Sequence, residues 1–153
     1  MVSVLNAQEL YQFIPSDPPS REALQALYTR WEKRISPDGT ELWLNWIARL
    51  EQTEIAVGHF QAGLKNSGEA YIAYTVGKDH QRRGYAFEAL TEICRLLRDS
   101  LGADPIKAWI DSRNTASIEL VKKLGMKQVG SIENADHFKG TQSDEVIFQS
   151  SRI

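Results

Sequence analysis

Apolar residues recur along this chain with two periods, one helical and one alternating. Near the start, Asn6-Ala7-Gln8-Glu9 has the form of a capping box and predicts a short helix carrying Leu10, Phe13 and Ile14. A polar loop at 15–20 ends in Ser20, which can cap a second helix with Leu24, Leu27, Tyr28, Trp31 and Ile35 on one stripe. After a turn at 36–39, runs at 42–50, 55–64 and 70–76 read as antiparallel strands. A helix is expected over about 84–100, a short buried strand at 106–110, and a further helix after Asn114 with Ile118, Val121 and Leu124 at helical spacing and Gly125 as its stop. Strands at 127–132 and 145–150 are expected to flank a polar loop at 133–144. This order predicts an α/β (mixed α+β) fold with a mixed sheet flanked by helices. Only Met1–Leu5 precedes the first helix, so a first edge strand there is short or missing. The exposed edge this leaves makes a homodimer an expectation.

Composition narrows the function without choosing it. With 153 residues the chain is long enough for one domain, 1–153, with a proper core. A formal net charge of −2 gives no field that would draw the protein to nucleic acid or to an anionic membrane. The single cysteine, Cys94, has no partner for an intramolecular disulfide and falls in the register of Phe87, Leu90, Leu97 and Leu101, as a buried structural thiol would. No apolar run approaches the roughly 20 residues that span a bilayer, and no basic segment followed by an apolar one opens the chain. The expectation is a cytoplasmic protein without a metal site.

The candidate chemistry starts at Gln81-Arg82-Arg83-Gly84-Tyr85-Ala86, between the strand at 70–76 and the amphipathic helix. A strand that turns through a glycine into a helix aims free backbone N–H groups at one point, and the helix dipole makes that point attractive to a phosphate. Gly84 allows close approach, and Ala86 keeps the second approach point small. Arg82 and Arg83 either reach the phosphates or point to water. The motif is neither Gly-x-Gly-x-x-Gly nor a Gly-Lys-Ser/Thr loop. A second motif follows, Asn114-x-x-Ser117 with Lys123-x-Gly125-Met126. Together with Glu88-Ala89-Leu90, the two motifs resemble the GNAT superfamily of acetyl-coenzyme A-dependent N-acetyltransferases, and within it the ribosomal-protein N-terminal acetyltransferase (Rim) branch.

The resemblance implies a sheet splayed at its centre, between the strands at 70–76 and 106–110, with acetyl-CoA as acyl donor and a primary amine as acceptor. It implies that the amides of Arg82, Arg83, Gly84, Tyr85 and Ala86 hold the pyrophosphate, that Gln81 shapes the entry to the turn, and that Val76 offers an N–H to the thioester carbonyl. Asn114 would contact the pantetheine arm, and Ser117 would hydrogen-bond the leaving thiolate. The alternative is that Asn114 only caps its helix and Ser117 only satisfies the first turn. A tyrosine found seven residues after that asparagine in many relatives is Val121 here, and a strand glutamate of relatives is replaced by Tyr71. Glu69, on the same strand face by alternation, is the first candidate for the base, His59 the second and His137 the third. His80 is expected to be exposed. Asp17, Glu133, Asp136 and Asp144 would make the acceptor mouth acidic, and Trp43, Trp46 and Tyr74 are expected in the core, with a substrate platform as the alternative. The first functional reading is acetylation of a protein N-terminus or peptide-like amine. A small amine as acceptor, or an acyl-CoA-binding module without turnover, remains open at this point.

Overall fold

The computed structural model describes residues 1–150. Its centre is a six-stranded sheet in the order β1-β2-β3-β4-β6-β5, formed by β1 (Glu41–Arg49), β2 (Ala56–Lys65), β3 (Ala70–Val76), β4 (Ile106–Asp111), β5 (Lys127–Phe138) and β6 (Thr141–Ser150). All neighbours run antiparallel except β3 and β4, which are parallel. That single parallel pair joins two antiparallel halves, each already committed to a partner on its outer side.

One face of the sheet carries α3 (Tyr85–Asp99) and α4 (Thr115–Lys123). The helical spacing of Leu90, Ile93, Cys94 and Leu97 puts them together on the buried stripe of α3, against Phe60, Ile72, Ile106, Ala108 and Phe148 from the strands. Leu90, Leu97 and Phe60 are fully enclosed, each contributing about 1.5–3 kcal/mol of burial energy. Truncating Leu90 to alanine would cost about 2–5 kcal/mol. Cys94 lies in this core, where burial raises its thiol pKa. The opposite face is covered at one end by α1 (Val2–Leu5) and α2 (Arg21–Trp31). Ser20 caps α2 as expected, its hydroxyl accepting from the Ala23 amide at 3.1 Å.

Val2–Leu5 is a turn of helix, so the first edge strand is missing, in line with the sequence expectation, and β1 is the sheet's edge. Other expectations need correction. Asn6 is not the residue that starts the next turn, because Gln8–Tyr11 is a 3-10 helix whose cap position is Ala7, with no side-chain capping bond. The polar stretch at 133–144 is not a loop. β5 and β6 run through it and turn at Lys139-Gly140, both left-handed at φ 52 and 71°. Its polarity reflects an edge strand, β5, exposed along most of its length.

Ile35 was expected to extend the apolar stripe of α2. It lies beyond the helix end, half exposed, in an isolated bridge to Leu42. No helix among the described residues is long and apolar enough to cross a membrane.

Candidate active site

β3 and β4 are in register only at Ala70–Ile106 and Tyr71–Lys107. Beyond them β3 stays with β2 as far as Val76, and β4 follows β6 as far as Asp111. The natural twist of the two antiparallel halves opens a wedge between them. The Ala70 amide donates to Pro105 on the β4 side, whereas the Gly77 amide donates to Val57 on the β2 side. By alternation, Tyr74 and Val76 turn their backbone groups into the wedge, where no strand meets them. The wedge is the splay expected from the resemblance, and Val76 stands at its open end.

The chain leaves Val76 through a 3-10 turn at Lys78–His80 and enters α3 through residues 81–84. The Gln81 side chain donates to the Val76 carbonyl at 3.1 Å, tying the strand end to the turn. Arg82 and Gly84 both have positive φ, 61 and 87°. At 87° an L side chain is strained, so this position calls for glycine. Two left-handed residues so close together fold the backbone into a concave nest of N–H groups. The amides of residues 82–87 make no hydrogen bond to any described group, and the first helical bond is the one from Glu88 to the Gly84 carbonyl. Arg82 and Arg83 are exposed and form no ion pair among the described residues. A run of undonated amides at the positive end of a 15-residue helix, beside two arginines, suits a diphosphate.

Asn114 caps α4, its Oδ1 accepting from the Ser117 amide at 3.1 Å. Asn114 and Ser117 both line a cleft of about 190 Å³ that passes through the wedge. The Tyr74 hydroxyl donates to the Ser117 carbonyl at 3.4 Å. Tyr74 packs against the core as expected, but its phenol also lines the cleft, and burial raises its pKa. Val121 is wholly enclosed in the core. The structure therefore offers a phenol from β3 in a chain that has none at position 121.

The other mouth of the cleft is built by Phe13–Pro15, the ends of β4 and the β5–β6 hairpin. Three carboxylates line it: Asp111, Asp136 and Glu145. Asp111 is buried and gripped by Arg113, whose Nε and one terminal nitrogen donate to its two oxygens at 2.9 and 2.6 Å. The Arg113 amide donates as well, at 2.9 Å, and Ser143 adds a fourth donor at 2.7 Å. The Arg113 bonds hold the Asp111 carboxyl down at about pKa 2. Glu145 stands directly opposite Asp111 in the β4–β6 register. Burial raises its pKa, and the nearby Asp111 and Asp136 charges add to that. Arg113 also sits between the rings of Phe13 and Phe138, at 6.0 and 5.8 Å. Lys139 donates to the carbonyls of Tyr11, Ile14 and Ser16, so the hairpin tip is fastened to the N-terminal segment.

The residues read as bases from sequence lie elsewhere. Glu69 is just ahead of β3, at the closed end of the wedge, in ion pairs with Lys107 and Lys65. Hydrogen bonds from Lys107 and Lys65 hold its pKa below the usual range, and it does not line the cleft. His59 is stacked on Trp31 at 4.9 Å, and burial lowers its pKa to about 4. His137 is exposed and outside the cleft lining. His80 is half-buried rather than exposed. Of the expected acidic mouth only Asp136 lines the cleft. Asp17 lies 3.6 Å from Lys139, and Asp144 accepts from the Asn134 amide at 2.8 Å. Glu145, which lines the cleft, is not among the sequence candidates, and Tyr74, expected in the core, lines it too. Alternation puts Ser143 and Glu145 on one face of β6, but nothing local says that this face lies opposite Asp111.

Residues 1–127 match the Acetyltransferase (GNAT) domain family. The chain belongs to that family. GNAT acetyltransferases take their acyl group from acetyl-CoA. Over 84 residues it is 30% identical to p20 of Bacillus licheniformis, described as an uncharacterised N-acetyltransferase. That match covers 55% of this chain but only 47% of the relative, so the chain spans about half the length of that protein. It is 24% identical over 142 residues to the ribosomal protein uS5-alanine N-acetyltransferase of Escherichia coli, covering 88% of this chain and 73% of the other. Among solved structures, the Vibrio cholerae spermidine N-acetyltransferase in complex with CoA and spermine superposes with a TM-score of 0.81. It is 15% identical, and the match covers 98% of this chain and 86% of that one. That likeness speaks for the shared fold.

Proposed function

We propose that this GNAT chain acetylates a primary α-amine, the N-terminus of a protein or peptide, with acetyl-CoA as donor. The observation that carries the donor half is the run of undonated amides at 82–87 beside the open end of the wedge. Residues Gln81, Arg82, Arg83, Gly84, Tyr85 and Ala86 would hold the pyrophosphate, and Val76 and Asn114 the pantetheine arm. When bound, acetyl-CoA supplies an acetyl group activated as a thioester.

The chain's own groups do the rest. Glu145 takes a proton from the acceptor ammonium, its raised pKa making it a better base than Asp111, whose charge Arg113 and Ser143 already satisfy. The neutral amine then bonds to the acetyl carbon, while the Val76 N–H stands ready for the charge that develops on the carbonyl oxygen. Once the C–S bond breaks, the proton still to be lost from the attacking nitrogen would pass to the departing thiolate, and Ser117 and Tyr74, which both line the cleft, would offer hydroxyls to hydrogen-bond it. Glu69 acts as a structural anchor between Lys65 and Lys107.

The base decides between acceptor classes. Removing a proton at pH 7 costs about 4–5 kcal/mol from a lysine-like amine of pKa ~10.4, but under about 1.5 kcal/mol from an α-amine of pKa ~8. A carboxylate base therefore suits an α-amine. The test is to supply acetyl-CoA with three acceptor sets, N-terminal peptides, polyamines and amino-acid derivatives, and to follow thiol release alongside coenzyme binding by calorimetry. Thiol release with peptides is the expected result. Release with polyamines alone would move the acceptor to the small-amine class. Binding without release across all three sets would make the chain a coenzyme-binding module.

A further inference from the structure

The face of the sheet that α2 leaves bare continues from the acceptor mouth as an aromatic floor. Ala73 and Trp109, both exposed, line the cleft and begin this floor. Tyr71 meets Trp109 edge to face at 6.4 Å. Trp43, Gly63 and Tyr71 lie in one row across β1, β2 and β3. A Cβ on Gly63 would collide with the Tyr71 ring, so glycine is what lets that ring lie down over β2. The Tyr71 hydroxyl and the Trp43 indole N–H both donate to one Glu41 oxygen, at 2.8 and 3.2 Å. The polar ends of both rings are thus tied down, and the floor needs no ordering when something lands on it.

We propose that this floor receives the residues that follow the reacting amine, so that the acceptor is an extended polypeptide N-terminus read over several residues. The inference rests on the acetyltransferase reading and deepens it. Continuity with the cleft argues for it, because Ala73 and Trp109 belong to both. Charge argues for it as well. The cleft end carries the carboxylates that attract an ammonium, whereas at the far end Glu41 and Glu69 are balanced by Lys65 and Lys107. A second ammonium, as in a polyamine, would meet Lys107, which already lies over the Trp109 ring at 6.0 Å. An uncharged peptide chain meets rings that suit its apolar side chains. From β4 to β1 is three strand spacings, roughly 14 Å, which about four extended residues cover.

The test compares kcat/KM for free-amine acceptors of one sequence series, from a single amino-acid amide to a hexapeptide bearing phenylalanine at positions three to five. Spermidine is run in parallel. The expected result is a rise of roughly tenfold or more up to the pentapeptide and little beyond it. In Trp43→Ala, and separately in Trp109→Ala, the ratio of pentapeptide to amide rates falls toward one. Each variant's fold is checked by circular dichroism, and the wild-type series decides the question even if a variant fails to fold. Rates independent of length, a length effect that survives both substitutions, or spermidine used better than the pentapeptide would overturn the proposal while leaving acetyl transfer intact. No thiol release with any amine would overturn both the proposal and the acetyltransferase reading.

Discussion

The two ends of the cleft are built from different materials. At the end proposed to take the coenzyme the groups on offer are backbone amides, posed by Arg82 and Gly84 in left-handed conformation and by the start of α3. At the end proposed to take the acceptor they are side chains: Asp111 and Arg113 from β4 and its exit, Ser143 and Glu145 from β6, and Phe13 from the N-terminal segment. A backbone site needs only the right turn at one place in the chain. A side-chain site needs elements distant in sequence to arrive together. The first tolerates little change in conformation, and the second little change in charge.

The largest expected effect is at the acceptor end. Glu145→Gln should lower kcat by about 10²–10⁴-fold with acetyl-CoA affinity unchanged, which separates the two ends in one variant. In the wild type, turnover should rise with pH through the raised Glu145 pKa, and that limb should vanish in the variant.

His59 sharpens the contrast through pH. The unfolded chain protonates this residue near pH 6.5, and the folded chain only near pH 4. Folding stability is therefore full above about pH 6.5 and falls by about 3 kcal/mol as pH drops toward 4. Urea unfolding from pH 7.5 to 4 should show that slope, and His59→Phe, which keeps a ring against Trp31, should flatten it. An unchanged slope in the variant would place the sensitivity elsewhere.

At the coenzyme end, Gly84→Glu combines left-handed strain with a carboxylate where the phosphate charge would sit. Together these cost about 2–3 kcal/mol, or roughly 100-fold in coenzyme affinity by calorimetry. The smallest effect is at the hairpin tip. Lys139→Met removes the donor to Tyr11, Ile14 and Ser16, and should lower Tm by about 2–4 °C for a loss of about 1 kcal/mol. The acceptor KM should rise with it, and the coenzyme affinity should not change.

The same contrast explains what could be read from the chain. The turn at 81–86, the cap at Asn114 and the stripe of Leu90, Cys94 and Leu97 are local, and spacing alone exposes them. The splay between β3 and β4 leaves no trace in either strand, since each alternates as a paired strand would, and it was anticipated only through the resemblance. Glu145 is not legible as a candidate, because a carboxylate ahead of Val146 reads as solvated until β6 is known to pair with β4. Glu69 looked suitable by alternation along β3. Its two lysines come from positions 65 and 107, and only the second would have required the fold to see. The stretch at 133–144 reads as a loop because an edge strand has no need to be apolar.

The central claim is that the amides at 82–87 receive the coenzyme's diphosphate. The most direct measurement is a ¹⁵N-resolved titration of the folded protein with CoA. The account predicts that the amide signals of Arg82, Arg83, Gly84, Tyr85, Ala86 and Phe87 move together and saturate with the calorimetric binding curve. Saturable binding that leaves those six signals in place would contradict it.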